Sequence, residues 1–97
     1  MSGFVVHIRV VLPDRPGALG LVASRIGAVG GDIIAVDILG RSEGRAVDEF
    51  VVELAAPEVV DLLRSEIHEV DGVLVESLVP ATLEGVPPDG EAQTGTQ

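Results

Sequence analysis

A segment with two prolines and a glycine separates the first apolar run of the chain from the second, and it reads Leu12-Pro13-Asp14-Arg15-Pro16-Gly17-Ala18-Leu19. Each proline pushes the residue before it toward extended backbone, and the glycine tolerates angles that other residues avoid. The segment therefore predicts a tight strand-to-helix loop whose tip presents the free N–H groups of the helix. Such a tip can hold a small anion, for example the carboxylate of an amino acid.

Residues 4–12, before this loop, are predicted to form a strand because they are rich in β-branched residues and alternate in character. One face is fully apolar and consists of Val6, Ile8, Val10 and Leu12. The other face is mixed and consists of Val5, His7, Arg9 and Val11. This asymmetry suits a sheet that is covered by helices on one face only.

Residues 18–29, after the loop, are predicted to form a helix. Their apolar side chains recur at helical spacing, at Leu19, Val22, Ala23, Ile26 and Val29. The pair Gly30-Gly31 ends the helix, as glycines commonly do. Gly20 and Gly27 lower the intrinsic helix propensity, and close packing against the sheet is one explanation for them.

The remainder of the chain continues as a hairpin, a helix and a strand. Residues 32–39 and 45–54 are predicted strands joined by a polar turn at 40–44. Residues 57–69 form a predicted helix that Pro57 begins, and residues 73–79 form the fourth strand. From Pro80 onward there is little to bury, so residues 80–97 are predicted to be a flexible tail behind a domain of residues 1–79.

The element order β-α-β-β-α-β predicts a ferredoxin-like α+β fold, with a four-stranded antiparallel sheet and two helices on one face. Its usual strand order, 4-1-3-2, makes the second strand an edge. That strand carries Ile34, Val36 and Ile38 and is long and apolar for an edge. The mixed sheet face is also expected to expose valines, at positions Val5, Val11, Val47 and Val51. Both features predict a homodimer, with the second strand pairing with its copy about a twofold axis.

Charge and composition exclude several kinds of function. Six arginines stand against sixteen acidic residues, a net charge of −10, which argues against nucleic acid and anionic membranes as partners. There is no cysteine, and therefore no disulfide or thiolate metal site. The sequence shows no leader peptide, membrane span, catalytic triad, phosphate loop or metal-ligand spacing. We therefore expect a cytoplasmic protein that is not an enzyme and needs no cofactor.

Other ferredoxin-like families fit poorly. An RNA-recognition domain needs exposed aromatic residues on its sheet and a basic surface, and a copper chaperone needs paired cysteines. An acylphosphatase-like enzyme needs an arginine in a glycine-rich phosphate loop, and Arg15 beside Asp14 is a weak match.

The loop and the start of the second strand together resemble the ACT domain, a regulatory family that binds amino acids or other small ligands, usually at interfaces between paired domains. The matching residues are Asp14-Arg15-Pro16-Gly17-Ala18-Leu19 and, after the helix, Gly30-Gly31-Asp32-Ile33. The resemblance covers residues 4–79. It implies ligand contacts from Asp14, Gly17 and Asp32, with the N–H groups of Ala18 and Leu19 beside them.

The chain departs from the ACT pattern at two of these positions. Many ACT domains have asparagine where this chain has Asp14 and Asp32, and an ionised aspartate only accepts hydrogen bonds. The two carboxylates would hold the ammonium of an amino acid while the helix N-terminus holds its carboxylate. This predicts a preference for neutral or basic amino acids over glutamate and aspartate. The alternative is structural: Asp14 caps the helix and Asp32 begins a strand.

Two functions remain from the sequence. The first is a free-standing ACT-like module that binds an amino acid or similar metabolite at a dimer interface and acts allosterically, through its own association or on a separate metabolic enzyme. The second is an interaction module without a ligand, whose sheet makes a homodimer or docks on a partner.

Overall fold

The computed structural model describes residues 3–81, which contain four strands and two α-helices. In chain order these are β1 (Phe4–Pro13), α1 (Ala18–Ala28), β2 (Asp32–Ser42), β3 (Arg45–Leu54), α2 (Val60–His68) and β4 (Leu74–Pro80). A short 3₁₀ helix, Pro57–Val59, leads into α2. The strands form one antiparallel sheet in the order β2-β3-β1-β4. The predicted ferredoxin-like α+β fold and its strand order are confirmed.

Both helices contribute to a single hydrophobic core on one face of the sheet. The predicted inward positions of β1 are buried, and so are Phe50, Val52 and Leu54 of β3. Helix α1 adds Ala18, Val22 and Ile26, and α2 adds Leu63 and Ile67. Apart from one phenylalanine, the buried cluster consists of aliphatic side chains, as the sequence predicts for a chain with so few aromatic residues.

The face of the sheet opposite the helices is less exposed than the sequence predicts. Val5 and Val51 are only 9% and 8% exposed, and Val11 and Val47 are half-buried. Longer polar neighbours explain part of this, because Val5 lies opposite Glu53 and Val51 lies opposite His7 in the β1–β3 register. The prediction of four exposed valines on this face is therefore wrong, and the β2 edge is the more apolar surface.

The β2–β3 hairpin turns more tightly than predicted. Ser42 pairs with Arg45, so the loop contains only Glu43 and Gly44, with φ angles of 57° and 80°. Two consecutive positive φ angles are typical of a type I′ turn, which a glutamate seldom enters. Strand β2 consequently includes Arg41, which pairs with Ala46 on the helix-covered side of the sheet.

Strand β2 is an outer strand of the sheet, and its pairing with β3 shifts between Ile33 and Ala35 and again between Ile38 and Gly40. Because of the first shift, Ile33 pairs on the same face of the sheet as Val36 and Ile38, and Ile34 lies at the irregularity without a partner on β3. The apolar side chains along this edge are exposed in the described residues, namely Ile34, Val36, Ile38 and Leu39.

Strand β4 ends one residue later than the predicted residue 79. Pro80 pairs with Val6 as the last residue of β4, and the N–H of Ala81 donates to the carbonyl oxygen of Val5 at 2.8 Å. The rest of the predicted tail, residues 82–97, lies outside the described residues. No helix within residues 3–81 is long and apolar enough to cross a membrane.

Candidate functional site

The loop between β1 and α1 is shaped by Gly17, whose φ of 88° lies in the left-handed region that favours glycine. Gly17 is the N-cap of α1, and no side chain caps the helix. The interpretation of Asp14 as a helix cap is therefore wrong. The N–H of Asp14 instead donates to the carbonyl oxygen of Gly44 at 2.8 Å, which joins the loop to the β2–β3 turn. The N–H of Ala18, which was predicted to contact a ligand, donates to the carbonyl oxygen of Arg15 at 3.2 Å within the loop.

A cavity of about 100 Å³ lies beside this loop, where the end of β1, the start of α1 and the hairpin of β2 and β3 meet. Its walls combine apolar side chains with two aspartates and two arginines. The lining residues are Leu12, Pro13, Asp14, Arg15, Ala18, Leu19, Ile38, Arg41, Ala46 and Asp48. Acidic and basic groups therefore face one small volume at a helix N-terminus.

Two of the charged residues in the cavity wall form an ion pair. The Nε of Arg41 lies 3.7 Å from Oδ1 of Asp14, and both side chains are exposed. An exposed pair at this distance contributes little to stability. It does place the Asp14 carboxylate and the end of β2 next to each other at the cavity.

Asp48 is the one buried charged residue in the described part of the chain, with 2% of its surface exposed. It lies on the helix-covered side of β3, in line with Ala46 and Phe50. Its Oδ1 is buried and has no hydrogen-bond partner among the described residues. Burial raises the pKa of Asp48; Arg41 opposes this shift and Asp14 adds to it.

The structure brings together three of the five residues predicted to contact a ligand. Asp14, Ala18 and Leu19 line the cavity, and Gly17 sets the loop conformation without lining it. Asp32 lies elsewhere: it pairs with Glu53, on the opposite face from Asp48 and five positions away along β3, roughly 17 Å at the rise of a strand. Within one protomer, Asp32 does not reach the cavity.

Sequence reasoning missed Asp48, Arg41 and Ile38 as cavity residues. Asp48 could have been found from the sequence, because it falls on the same alternating face of the strand as Phe50 and Leu54. It is therefore a carboxylate at a position that faces the core. Arg41 had none, because the sequence places it in a turn rather than on a strand. Ile38 was predicted on β2, but its approach to the cavity depends on how the helix sits over the sheet.

A second polar group lies on the opposite face of the sheet. The Nε2 of His7 is 3.0 Å from Oε1 of Glu49, and the Nε of Arg9 donates to Oε2 of the same carboxylate at 2.8 Å. The hydrogen bond from Arg9 to Glu49 and the negative charge of that carboxylate raise the pKa of Arg9. Residues 3–81 contain no group of three acidic or histidine side chains that is placed to hold a metal ion.

Solved structures with the same fold were found by structural comparison. The ACT domain from GTP pyrophosphokinase of Chlorobium tepidum is 16% identical, with a TM-score of 0.63 over 82% of this chain and 100% of that chain. An unknown protein from Galdieria sulphuraria is 18% identical, with a TM-score of 0.70 over 89% of this chain and 48% of that chain. This chain thus spans about half of the Galdieria protein.

A third match, an uncharacterized protein from Thermotoga maritima, is 21% identical, with a TM-score of 0.59 over 84% of this chain and 100% of that chain. No protein-family model and no curated protein matches the sequence. At these identities the likeness establishes a shared fold, and the function must be argued from the cavity itself.

Proposed function

We propose that this chain, which has the fold of an ACT domain, is a regulatory module that binds a small amino acid between two copies of itself. The observation that supports this most strongly is the cavity beside the β1–α1 loop. It lies at the place that the sequence motif indicates, and it holds both signs of charge.

The charges of the cavity are complementary to an amino-acid zwitterion. The N-terminus of α1, which no side chain caps, carries a partial positive charge that suits the ligand carboxylate. Arg15 and Arg41 lie in the same wall and reinforce that preference. The aspartates of the wall suit the ammonium group.

The size and charge of the cavity restrict the ligand. A volume of about 100 Å³ suits the zwitterionic group and a small side chain. A second carboxylate on the ligand would lie close to Asp14 and Asp48 and be repelled. The expected ligands are small neutral amino acids, with basic ones next and acidic ones excluded.

The β2 edge supports pairing of two copies. It is long and presents exposed apolar side chains, including Val36 at 43% exposure, and open edges of this kind favour strand addition. Antiparallel pairing about a twofold axis brings the start of one β2 beside the end of the other. Asp32 of the partner subunit then lies at the same end of the paired strands as Arg41, but on the face of the sheet opposite the cavity.

Ligand binding is then coupled to association, because Ile38 and Arg41 of the paired strand also line the cavity. The dimer would then transmit the signal to a separate metabolic enzyme. Sedimentation velocity over a concentration series, with and without millimolar alanine, serine or glycine, tests this directly. We expect a dimer that tightens with one or more of these amino acids.

A chain that stays monomeric at all concentrations, with or without amino acids, would overturn the proposal. A dimer that no amino acid affects would favour an interaction module without a ligand.

A further inference from the structure

We propose that Asp48 is the specificity residue of this cavity, whose carboxylate accepts hydrogen bonds from the ammonium group of the ligand and so restricts ligands to those that carry an ammonium group. This inference rests on the proposed function and assigns a role to a residue that the sequence motif does not include.

The geometry of Asp48 carries the inference. The residue lines the cavity, is almost completely buried, and has a carboxylate oxygen with no donor among the described residues. Burying an acceptor without a partner costs free energy, and the cost is greater for an ionised one. A ligand N–H removes that cost once a rotation of the Asp48 side chain turns the unpartnered oxygen toward the cavity.

The other acidic residues are less suitable as the main ammonium contact. Asp14 is exposed and already lies 3.7 Å from Nε of Arg41, and an exposed carboxylate exchanges water for the ligand with little gain. Asp32 lies on the face of the sheet opposite the cavity. Asp48 is buried within the protomer's own cavity wall, where a charged hydrogen bond is strongest.

The ligand chemistry follows from the properties of an ammonium group. A primary ammonium has three N–H donors and one positive charge, so it can pair with Asp48 and still reach other acceptors. A 2-hydroxy acid of the same shape has the same carboxylate but no positive charge. A site built around a buried polar group strongly rejects an analogue that leaves that group poorly paired.

The test compares amino acids with their 2-hydroxy-acid counterparts, using glycine with glycolate, L-alanine with L-lactate, and L-serine with L-glycerate. Ligand-induced thermal stabilisation is measured for the wild-type chain, for Asp48→Asn and for Glu49→Gln. Glu49 is the matched control, because it is the next residue on β3 but points to the opposite face, where it contacts His7 and Arg9.

We expect the wild-type chain and Glu49→Gln to be stabilised by at least one amino acid and to bind its hydroxy acid about a hundredfold or more weakly. Asp48→Asn should lose both the stabilisation and the discrimination. Equal stabilisation of Asp48→Asn and the wild type by the same amino acid would overturn the role of Asp48 and leave the proposed function standing. Failure of every amino acid to stabilise the wild type would overturn both.

A second measurement tests the role of Asp48 on the wild-type chain, in case the Asp48→Asn variant does not fold. The carboxyl ¹³C resonance of Asp48 in the labelled wild-type chain should shift on titration with the stabilising amino acid and not with its hydroxy acid. An unchanged resonance at saturation would refute the assignment.

Discussion

The Nε of Arg41, near the end of β2, lies 3.7 Å from Oδ1 of Asp14 in the β1–α1 loop. This contact joins two segments that are 27 positions apart in the sequence and partners one of the two carboxylates in the cavity wall. The other carboxylate, of Asp48, keeps a buried oxygen without a partner among the described residues. Substitution of the two aspartates is therefore expected to affect the free energy of unfolding differently.

Asp14→Ala should weaken amino-acid binding while changing the free energy of unfolding by less than about 1 kcal/mol, because it removes an exposed ion pair and no helix cap. Urea denaturation measures the stability, and ligand-induced thermal stabilisation measures the binding. Asp61→Ala, at an exposed site in the first turn of α2, is the control for losing a carboxylate elsewhere. A larger loss of stability for Asp14→Ala, with binding intact, would support a purely structural role.

Asp48→Asn should change the pH dependence of stability in a defined direction. Burial raises the pKa of Asp48 above its ordinary value of 3.8, so the folded state holds this proton more tightly than the unfolded state. The stabilisation from protonated Asp48 is fully present below the pKa that Asp48 has in the unfolded chain. It is lost as the pH rises through the pKa that Asp48 has in the folded chain. The variant should therefore gain stability relative to the wild type as the pH increases.

Urea denaturation of both proteins from about pH 4 to about pH 7 measures this difference. The stability of Asp48→Asn minus that of the wild type should increase with pH and then level off. A difference that stays constant across the range would show that Asp48 has the same pKa in the folded and unfolded chains.

Gly27→Ala should stabilise the fold by about 0.5–1 kcal/mol, because an added Cβ meets nothing within 4 Å and alanine has the higher helix propensity. Gly31→Ala should do the opposite. Its Cβ would lie 2.7 Å from Cγ2 of Ile26 and 3.0 Å from Cγ1 of Val52. Thermal denaturation of the two variants tests whether Gly27→Ala raises the Tm and Gly31→Ala lowers it. Destabilisation by Gly27→Ala would mean that the exposed side of α1 packs against another part of the protein or a second copy.

Val36→Glu should prevent self-association by placing a charge in the exposed apolar edge of β2. Since Val36 is not part of the buried core, the fold of the protomer should survive. Leu62→Glu changes an equally apolar exposed side chain on α2 and should leave association unchanged. Sedimentation velocity compares the two variants, and unchanged association of Val36→Glu would place the interface elsewhere.

The fold was predictable because alternation and helical spacing are clear in the elements that build the core. The inward positions of β1, from Val6 to Leu12, follow strict alternation, and the α1 positions Val22 and Ile26 follow helical spacing. The hairpin was less predictable, since Glu43 adopts a positive φ that its side chain does not favour. The length of β2, and with it the position of Arg41, depends on that turn.

The candidate site was predictable only in part. The β1–α1 loop is marked by its prolines and Gly17, so Asp14 and the start of α1 could be placed together. Asp48 lies 34 positions further along the chain and meets the loop only through the β1–β3 pairing. The distance of Asp32 from the cavity follows from the β2–β3 register, which no local pattern specifies.

The measurement to make first is a thermal-shift screen of the wild-type chain against the twenty amino acids at millimolar concentration. A ligand at about 100 times its Kd adds roughly 2.7 kcal/mol of stability, which corresponds to several degrees in Tm for a domain of this size. We expect small neutral amino acids to raise the Tm, and aspartate and glutamate to leave it unchanged. A flat screen, or a larger shift with aspartate or glutamate than with any neutral amino acid, would contradict this prediction.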